Sequence, residues 1–455
     1  MDGPRTRLTG RLPVPVPLLA AAALALPGSL HGLATYVGVP TVELAPPLLV
    51  LLYGLAIVGA AFALAWAAEA AQVDINAGIA LALLALVAVL PEYAVDFVFT
   101  AQCGSAYAAE GGSPDVCGLA LANMTGANRI LVGVGWPLVV LVSALAVRRA
   151  ARVGTPTPVR PATPGRTRVR IAPVMSVEVG FLLVATLYSL TLPLRSSLTL
   201  LDSAVLLAIF AAYAWRLAQM PATEPELSGV SRWVGSQPRG PRRAWVGGLF
   251  IGAALVILFS AEHFAESLVE TGSDLGVDEF LLVQWIAPLA SESPELMVAC
   301  LLAWRLKGGD ALGALLSSKV NQWTLLVGGL PIVFALTHVG IDGLPVDGEQ
   351  RYELLITAAQ SLLAIALLVT LRLTVRSALL LLTLFMVQLL ASVLGSDRVH
   401  EVTILAMSGV YLALAVVLLA LRWRALVEVG RTAFVRDLEG VATEPVEPAP
   451  AADHR

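Results

Sequence analysis

Apolar runs long enough to cross a lipid bilayer recur along the whole chain, and they constrain its fold more than any other feature. A membrane-spanning helix needs about 20 predominantly apolar residues. Of the 455 residues, 57% are hydrophobic and only 14% are charged. The sequence therefore predicts an all-α polytopic membrane protein with about twelve transmembrane helices. We place the spans at residues 14–36, 47–71, 77–101, 117–147, 172–192, 198–220, 244–271, 280–304, 311–338, 353–371, 377–396 and 401–421.

Basic residues predict how these spans are oriented. Alternate loops and both ends of the chain hold nearly all of the 29 Lys and Arg residues, whereas the other loops hold only Arg195, Arg351 and Arg398. Cytoplasmic loops of membrane proteins carry an excess of Lys and Arg. We therefore expect an integral protein of a bacterial-type plasma membrane with both termini cytoplasmic.

Composition also excludes several function classes. The five histidines and three cysteines show no CxxC or HExxH spacing, which disfavours a zinc or haem enzyme. No glycine-rich phosphate loop follows a strand-like segment, which disfavours an ATP-driven pump. The basic residues are spread over many loops rather than one patch, which disfavours nucleic acid as a partner. We expect no enzyme and no resident cofactor, and the sequence indicates no particular oligomeric state.

Pro- and Arg-rich stretches separate the predicted parts of the chain. Residues 148–170 and 221–243 have the composition of linkers without secondary structure. Cys103 and Cys117 fall at the outer loop 102–116, where pairing and two separate thiols both remain open. The parts are an N-terminal extra helix (1–46), a first half (47–220), a linker (221–243), a second half (244–396), a C-terminal extra helix (397–424) and a cytoplasmic tail (425–455).

Two Pro-Glu pairs lie inside spans that cross the membrane in opposite directions. They are Pro91-Glu92 and Pro294-Glu295. A carboxylate within the bilayer costs several kcal/mol unless it is compensated, so it indicates function. A proline beside it frees backbone carbonyls of the helix. Broken helices at corresponding places of two inverted halves predict the cation site of a secondary transporter.

The spans that follow the Pro-Glu pairs also correspond, with small residues in 122–128 and 313–319. The second repeat reads Leu275-Gly276-Val277 and then Ala290-Ser291-Glu292-Ser293-Pro294-Glu295-Leu296. This pattern resembles the calcium/cation antiporter superfamily of the sodium/calcium exchanger type, over roughly residues 47–147 and 244–396. In that family two inverted repeats carry G-T-S-x-P-E-L.

The resemblance implies a function and a set of site residues. It implies a secondary antiporter that moves Ca²⁺ or a similar inorganic cation by alternating access, coupled to H⁺ or Na⁺. It implies that Glu92 and Glu295 are the metal ligands. The other residues implied to line the cation site are Ser291, Ser318, Asn123 and Asn128.

The sequence departs from the family pattern at the positions whose side chains bind sodium in that family. In the first repeat these positions are occupied by Ala88, Val89, Ala127 and Leu131, which offer no side-chain oxygen. In the second repeat Glu292 replaces a serine, Gln322 replaces an acid, and Lys319 stands where the family has an asparagine. Because an ammonium can occupy the place of a cation, Lys319 favours proton over sodium coupling.

Helical spacing predicts the charge of the site. Asp96 follows Glu92 by one turn, and Glu292 precedes Glu295 by one turn, so each pair shares a helix face. We expect these four carboxylates to face Lys319 and Arg129, which leaves a formal excess of two negative charges. Hard carboxylate oxygens suit Ca²⁺ or Na⁺ better than softer metals.

Other interpretations remain open on sequence alone. Asp96 and Glu292 could pair structurally with Arg129 or Lys319, and Arg129 could extend to the membrane interface. The protein could be a Na⁺/H⁺ exchanger. It could be a non-transporting sensor or scaffold whose site is permanently neutralised by Lys319 and Arg129. A membrane enzyme using the carboxylates as acid and base is disfavoured, because no nucleophile–base spacing is present.

Overall fold

Helices make up nearly all of the computed structural model. It describes residues 14–75, 90–110, 114, 116–153, 168–220, 227, 229–276, 282–394 and 397–443. The first-half helices are α1 (Val16–Tyr36), α2 (Pro46–Ala71), α3 (Leu90–Glu110), α4 (Val116–Ile130), α5 (Trp136–Val153), α6 (Ser176–Ser189), α7 (Leu200–Ala218) and α8 (Gly229–Gly235). The later helices are α9 (Arg239–Asp274), α10 (Ala287–Trp304), α11 (Gly308–Asn321), α12 (Val327–His338), α13 (Gly348–Leu368), α14 (Val375–Leu394), α15 (Asp397–Leu421), α16 (Trp423–Phe434) and α17 (Leu438–Thr443).

Ten segments of the described chain are long and apolar enough to cross a membrane. They coincide with ten of the twelve predicted spans and confirm the polytopic all-α class. The other two predicted spans, 77–101 and 280–304, contain Glu92 and Glu295. Residues 76–89 lie outside the described part of the chain, and polar residues near Glu295 lower the mean hydropathy of α10.

In each half, two consecutive α-helices are joined by a π-helical turn. A π-helical turn at Leu131–Gly135 joins α4 to α5, and another at Gln322–Leu326 joins α11 to α12. The first residues of these two turns, Leu131 and Gln322, each lie three residues beyond the corresponding segments 122–128 and 313–319, so they are equivalent positions of the two repeats. A third π-turn, Leu282–Ile286, precedes α10. Such turns are rare and concentrate at functional sites.

Two small sheets show the same inverted relationship. Strand β1 (Arg168–Arg170) pairs antiparallel with β4 (Arg372–Thr374), and β2 (Ser197–Leu198) pairs antiparallel with β3 (Leu344–Pro345). In each half, the two strands lie on either side of one membrane span. A two-fold rotation in the membrane plane would exchange β1 with β3 and β2 with β4, which is the symmetry of inverted repeats.

Close backbone contact brings the halves together. A Cβ added at Gly126 of α4 would lie 1.7 Å from the backbone oxygen of Gln284 in the third π-turn. Only glycine permits this approach of α4 to the segment that leads into α10. Helix α13 lies at the centre of the bundle, since 83% of the residues in its apolar stretch are buried, against 18% for α9.

Helices α3 and α4 are joined by a disulfide. Cys103 and Cys117 are bonded, with their Cα atoms 4.6 Å apart. This answers the question that the sequence left open. The bond ties together the predicted outer ends of the two helices that carry Glu92 and Asn128.

The expectation that the two linkers lack secondary structure was wrong in part. Strand β1 forms within the first linker, because its partner β4 satisfies its backbone groups. In the second, α8 forms and α9 already begins at Arg239. Arg242 of α9 donates to both carboxylate oxygens of Asp74, at 2.8 and 2.6 Å, and lowers the pKa of Asp74.

The region predicted as a tail also contains helices. Helix α16 packs on α6, where the rings of Phe181 and Phe434 lie 5.0 Å apart. Arg216 of α7 donates to the backbone oxygens of Ala433 at 2.9 Å and Thr432 at 3.3 Å. A cation near the last carbonyls of a helix satisfies groups that have no partner within the helix. Residues 444–455 lie outside the described part.

Candidate functional site

The predicted acidic residues are withdrawn from solvent at the centre of the bundle. Glu92 lies in the first turn of α3, and Asp96 follows one turn later. Exposure is 2% for Glu92, 0% for Asp96 and 3% for Glu292. Glu295 is partly buried in α10, one turn beyond Glu292. Charges at this depth need specific partners, so the partners define what the site can do.

Gln322 links the two halves of the site. Its amide nitrogen donates to Glu92 Oε2 at 3.0 Å and to Glu292 Oε1 at 2.5 Å. The residue stands at the start of a π-turn, which displaces it relative to a regular helix. One side chain of the second repeat thus bridges a carboxyl group from each repeat.

Carboxyl groups also contact each other directly. Glu292 lies in side-chain hydrogen-bond contact with both Glu92 and Glu295. Each of these three residues has one buried carboxylate oxygen that receives no hydrogen bond in the described structure. A bond between two carboxyl groups requires a proton on one of them. The contact therefore leaves room for protons between the acids.

Polar side chains of the neighbouring helices hold the remaining acids. Ser318 Oγ donates to Glu295 Oε2 at 2.9 Å. Asn123 Nδ2 donates to Asp96 Oδ1 at 2.5 Å. Ser291 instead donates to the backbone oxygen of Pro288, at 3.2 Å. Ser318 and Asn123 are thus placed against site carboxylates, and Ser291 is turned toward its own helix.

Lys319 is bound by the first repeat rather than by an acid. Its Nζ donates to both the backbone oxygen and Oδ1 of Asn128, each at 2.8 Å. The Nζ also lies 5.7 Å from the centre of the Trp323 ring. Lys319 is 1% exposed, so its ammonium is buried beside the acids while two neutral oxygens hold it.

Arg129 has a partner that the sequence did not suggest. Its Nη2 lies 2.5 Å from Glu353 Oε2, and its guanidinium lies 4.6 Å from the centre of the Trp285 ring. His400 Nε2 lies 3.2 Å from the other oxygen of Glu353. The expectation that Arg129 faces the four carboxylates therefore does not match its ion pair, which lies with α13 and α15.

Sequence reasoning missed Glu353 and His400. Glu353 begins a predicted span, where an acid reads as an interfacial residue, and His400 lies just before another. No repeat partner drew attention to either. The available signal was a polar stripe at helical spacing, since Glu353, Thr357, Gln360 and Ser361 are all buried on one face of α13.

The described residues do not form a ready-made metal cage. Among the described residues, no group of three or more His, Cys, Asp or Glu is arranged to hold a metal ion. The available donors for a hard cation are carboxylate and amide oxygens. Unpartnered buried oxygens belong to Glu92, Glu292, Glu295, Asp96, Asn123 and Gln322. Of the predicted sodium positions, Ala127 and Leu131 are buried and apolar, and Ala88 and Val89 lie outside the described residues.

Inverted helical repeats around buried carboxylates define a class of polytopic cation exchangers. The profile of the family described as sodium/calcium exchanger protein matches residues 45–218 and 245–394. The chain belongs to this family. It is therefore an integral membrane protein of a family of transporters that move inorganic cations such as Ca²⁺.

Two solved structures show the similarity in three dimensions. The crystal structure of the H⁺/Ca²⁺ exchanger CAX matches 92% of this chain and 97% of its own, at 38% identity and a TM-score of 0.78. The structure of native YfkE matches 83% of this chain and 99% of its own, at 14% identity and a TM-score of 0.58, which supports the fold alone. No curated protein sequence matches the chain.

Proposed function

We propose that this protein is an antiporter that exchanges Ca²⁺, or a cation of similar size and charge, for protons. Glu92 and Glu295 would bind the cation, and protons would compete for the same carboxylates during alternating access. The observation that carries the proposal is the contact of Glu292 with both Glu92 and Glu295. Closely spaced carboxylates within a membrane repel each other unless protons or a cation lie among them.

The donor set supports both occupants. Calcium takes six to eight oxygen ligands, and carboxylates with amide oxygens are its usual donors. Glu92, Glu292 and Glu295 each keep one buried oxygen without a donor. Proton loading matches the contacts as they stand, whereas cation loading requires the Gln322 bridge and the carboxyl contacts to open. The two states are then mutually exclusive, as exchange requires.

Lys319 and the apolar first-repeat positions disfavour sodium as the coupling ion. The ammonium of Lys319 occupies the oxygens of Asn128 that a cation would otherwise use. Ala127 and Leu131 supply no oxygen nearby. The similarity to CAX, an H⁺/Ca²⁺ exchanger at 38% identity, supports the same coupling here.

A permanently neutralised site is the weaker interpretation. It would require Lys319 and Arg129 to pair with the four carboxylates. Asn128 holds Lys319 and Glu353 holds Arg129 instead. We therefore propose a working transporter, with inorganic cations as cargo, no resident cofactor and both termini in the cytoplasm.

Flux measurements test this function. The purified protein would be reconstituted in liposomes, and calcium uptake followed under an imposed pH gradient or an imposed sodium gradient. We expect uptake that follows the pH gradient, ends when a protonophore collapses it, and responds little to sodium. Sodium-driven calcium uptake at constant pH, unaffected by the protonophore, would contradict proton coupling.

A further inference from the structure

A second buried ionic cluster lies behind the cation site. Glu353 of α13 is 1% exposed and receives Arg129 from α4 on one oxygen and His400 from α15 on the other. Arg129 is fully buried and also donates through Nε to the backbone oxygen of Thr125, at 3.3 Å. Nothing in the exchange mechanism uses this cluster.

The cluster is nevertheless connected to the cation site, because Arg129 and Asn128 are neighbours in the chain. Arg129 directly follows Asn128, whose two oxygens hold Lys319. Arg129 lies close enough to Lys319 for their positive charges to repel. Lys319 in turn interacts electrostatically with Glu92 and Glu292, so an uncompensated guanidinium near Lys319 would add positive charge next to the site, where the dielectric constant is below that of water.

We propose that Glu353 is a positioning residue that keeps the charge of Arg129 out of the cation site. With Arg129 neutralised by Glu353, Lys319 remains, within the described structure, as the basic side chain that interacts with Glu92 and Glu292. The formal excess of the site becomes three negative charges instead of two. The added negative charge strengthens divalent cation binding. The residue responsible, Glu353, lies more than fifty positions from either Pro-Glu pair.

His400 connects the ion pair of Arg129 and Glu353 to the extra C-terminal helix, α15. Its side chain is 13% exposed, and its Nε2 faces Glu353. Helix α15 lies outside the residues matched by the exchanger family profile. A contact from outside the family core thus holds the carboxylate that neutralises Arg129.

Calcium affinity of the purified, full-length protein tests this inference, which rests on the proposed calcium site. Equilibrium binding of radioactive calcium would be compared in Glu353→Gln, in the double variant Arg129→Gln/Glu353→Gln, and in wild type. We expect Glu353→Gln to weaken affinity about tenfold or more, because a positive charge is released beside the site. The double variant should regain affinity to within about threefold of wild type, because the released charge is gone.

A matched control separates this electrostatic role from a merely structural one. Glu178 of α6 is likewise 1% exposed, and Glu178→Gln should leave calcium affinity unchanged. Wild-type affinity in Glu353→Gln, or a double variant as weak as the single one, would overturn the inference. If Glu353→Gln does not fold, the double variant and Glu353→Asp are measured instead. Both leave the net charge of the Arg129–Glu353 pair unchanged, so each should bind calcium to within about threefold of wild type, and a loss of about tenfold or more in either would overturn the inference. A wild-type protein that binds no calcium would refute the proposed function instead.

Discussion

Glu92 and Glu295 are the residues at which the proposed chemistry can be tested most simply. They hold equivalent places in the two repeats, and both bond to polar groups of the second repeat, Gln322 and Ser318. Glutamine keeps the shape of the side chain but removes the negative charge. We expect Glu92→Gln and Glu295→Gln each to reduce calcium flux below about 1% of wild type, since the charge that binds the cation is lost.

Folding must be monitored in the same preparations. Both variants should elute as wild type does on size exclusion and keep their unfolding temperature to within a few degrees. The control Glu178→Gln removes another buried carboxylate and should retain flux. Normal flux in either site variant would refute the assignment.

Lys319 supplies the second prediction at this scale. Lys319→Asn removes the ammonium from the oxygens of Asn128 and restores the residue type of the family pattern. We expect calcium binding to become sensitive to sodium, because those oxygens are freed for a monovalent ion. Calcium binding titrated with and without sodium measures this. A large loss of unfolding temperature with no sodium effect would mean that the lysine is structural.

Among the elements, α3 and α4 are covalently joined, because Cys103 and Cys117 form a disulfide across a sequence separation of 14 residues. Closing a loop of this length stabilises a protein by about 3 kcal/mol in the chain-entropy account. We expect reduction, or the double change to serine, to lower the unfolding temperature by several degrees. Cys300 is free, so Cys300→Ser serves as the control. An unchanged unfolding temperature after reduction would argue against the bond.

Element boundaries show which features the sequence could predict. Long apolar runs determine spans, so ten apolar segments of the described chain lie where hydropathy placed them. The aligned pair Leu131 and Gln322 predicted equivalent positions, and both begin π-turns. The π-turns themselves follow from no local pattern of residues described above, so the sequence did not predict them. Helix α8 and strand β1 depend on partners distant in sequence, which local composition does not reveal.

The site shows the same division. The Pro-Glu pairs and the motif spacing predicted acids that the structure brings into contact, Glu92, Glu292 and Glu295, because charge within an apolar span is conspicuous. The partner of Arg129 could not be predicted, since α13 and α15 reach it only through tertiary packing. That one contact changes the charge of the site.

At the scale of the molecule, the pairing of β1 with β4 and of β2 with β3 places the two sheets in loops that the predicted topology assigns to opposite membrane faces. In a Cys300→Ser background, Asp342→Cys should react with an impermeant maleimide added outside intact cells. Ala451→Cys should react only after permeabilisation, because the tail is predicted to be cytoplasmic. The reverse labelling would contradict the predicted topology.

Competition between protons and calcium at one set of carboxylates is the central claim. It is tested most directly by adding calcium to the purified protein in weakly buffered detergent solution and measuring the pH. We expect the release of about two protons per calcium bound, because the cation displaces protons from contacting carboxyl groups. Glu292→Gln should release fewer. Calcium binding without any proton release would contradict the account.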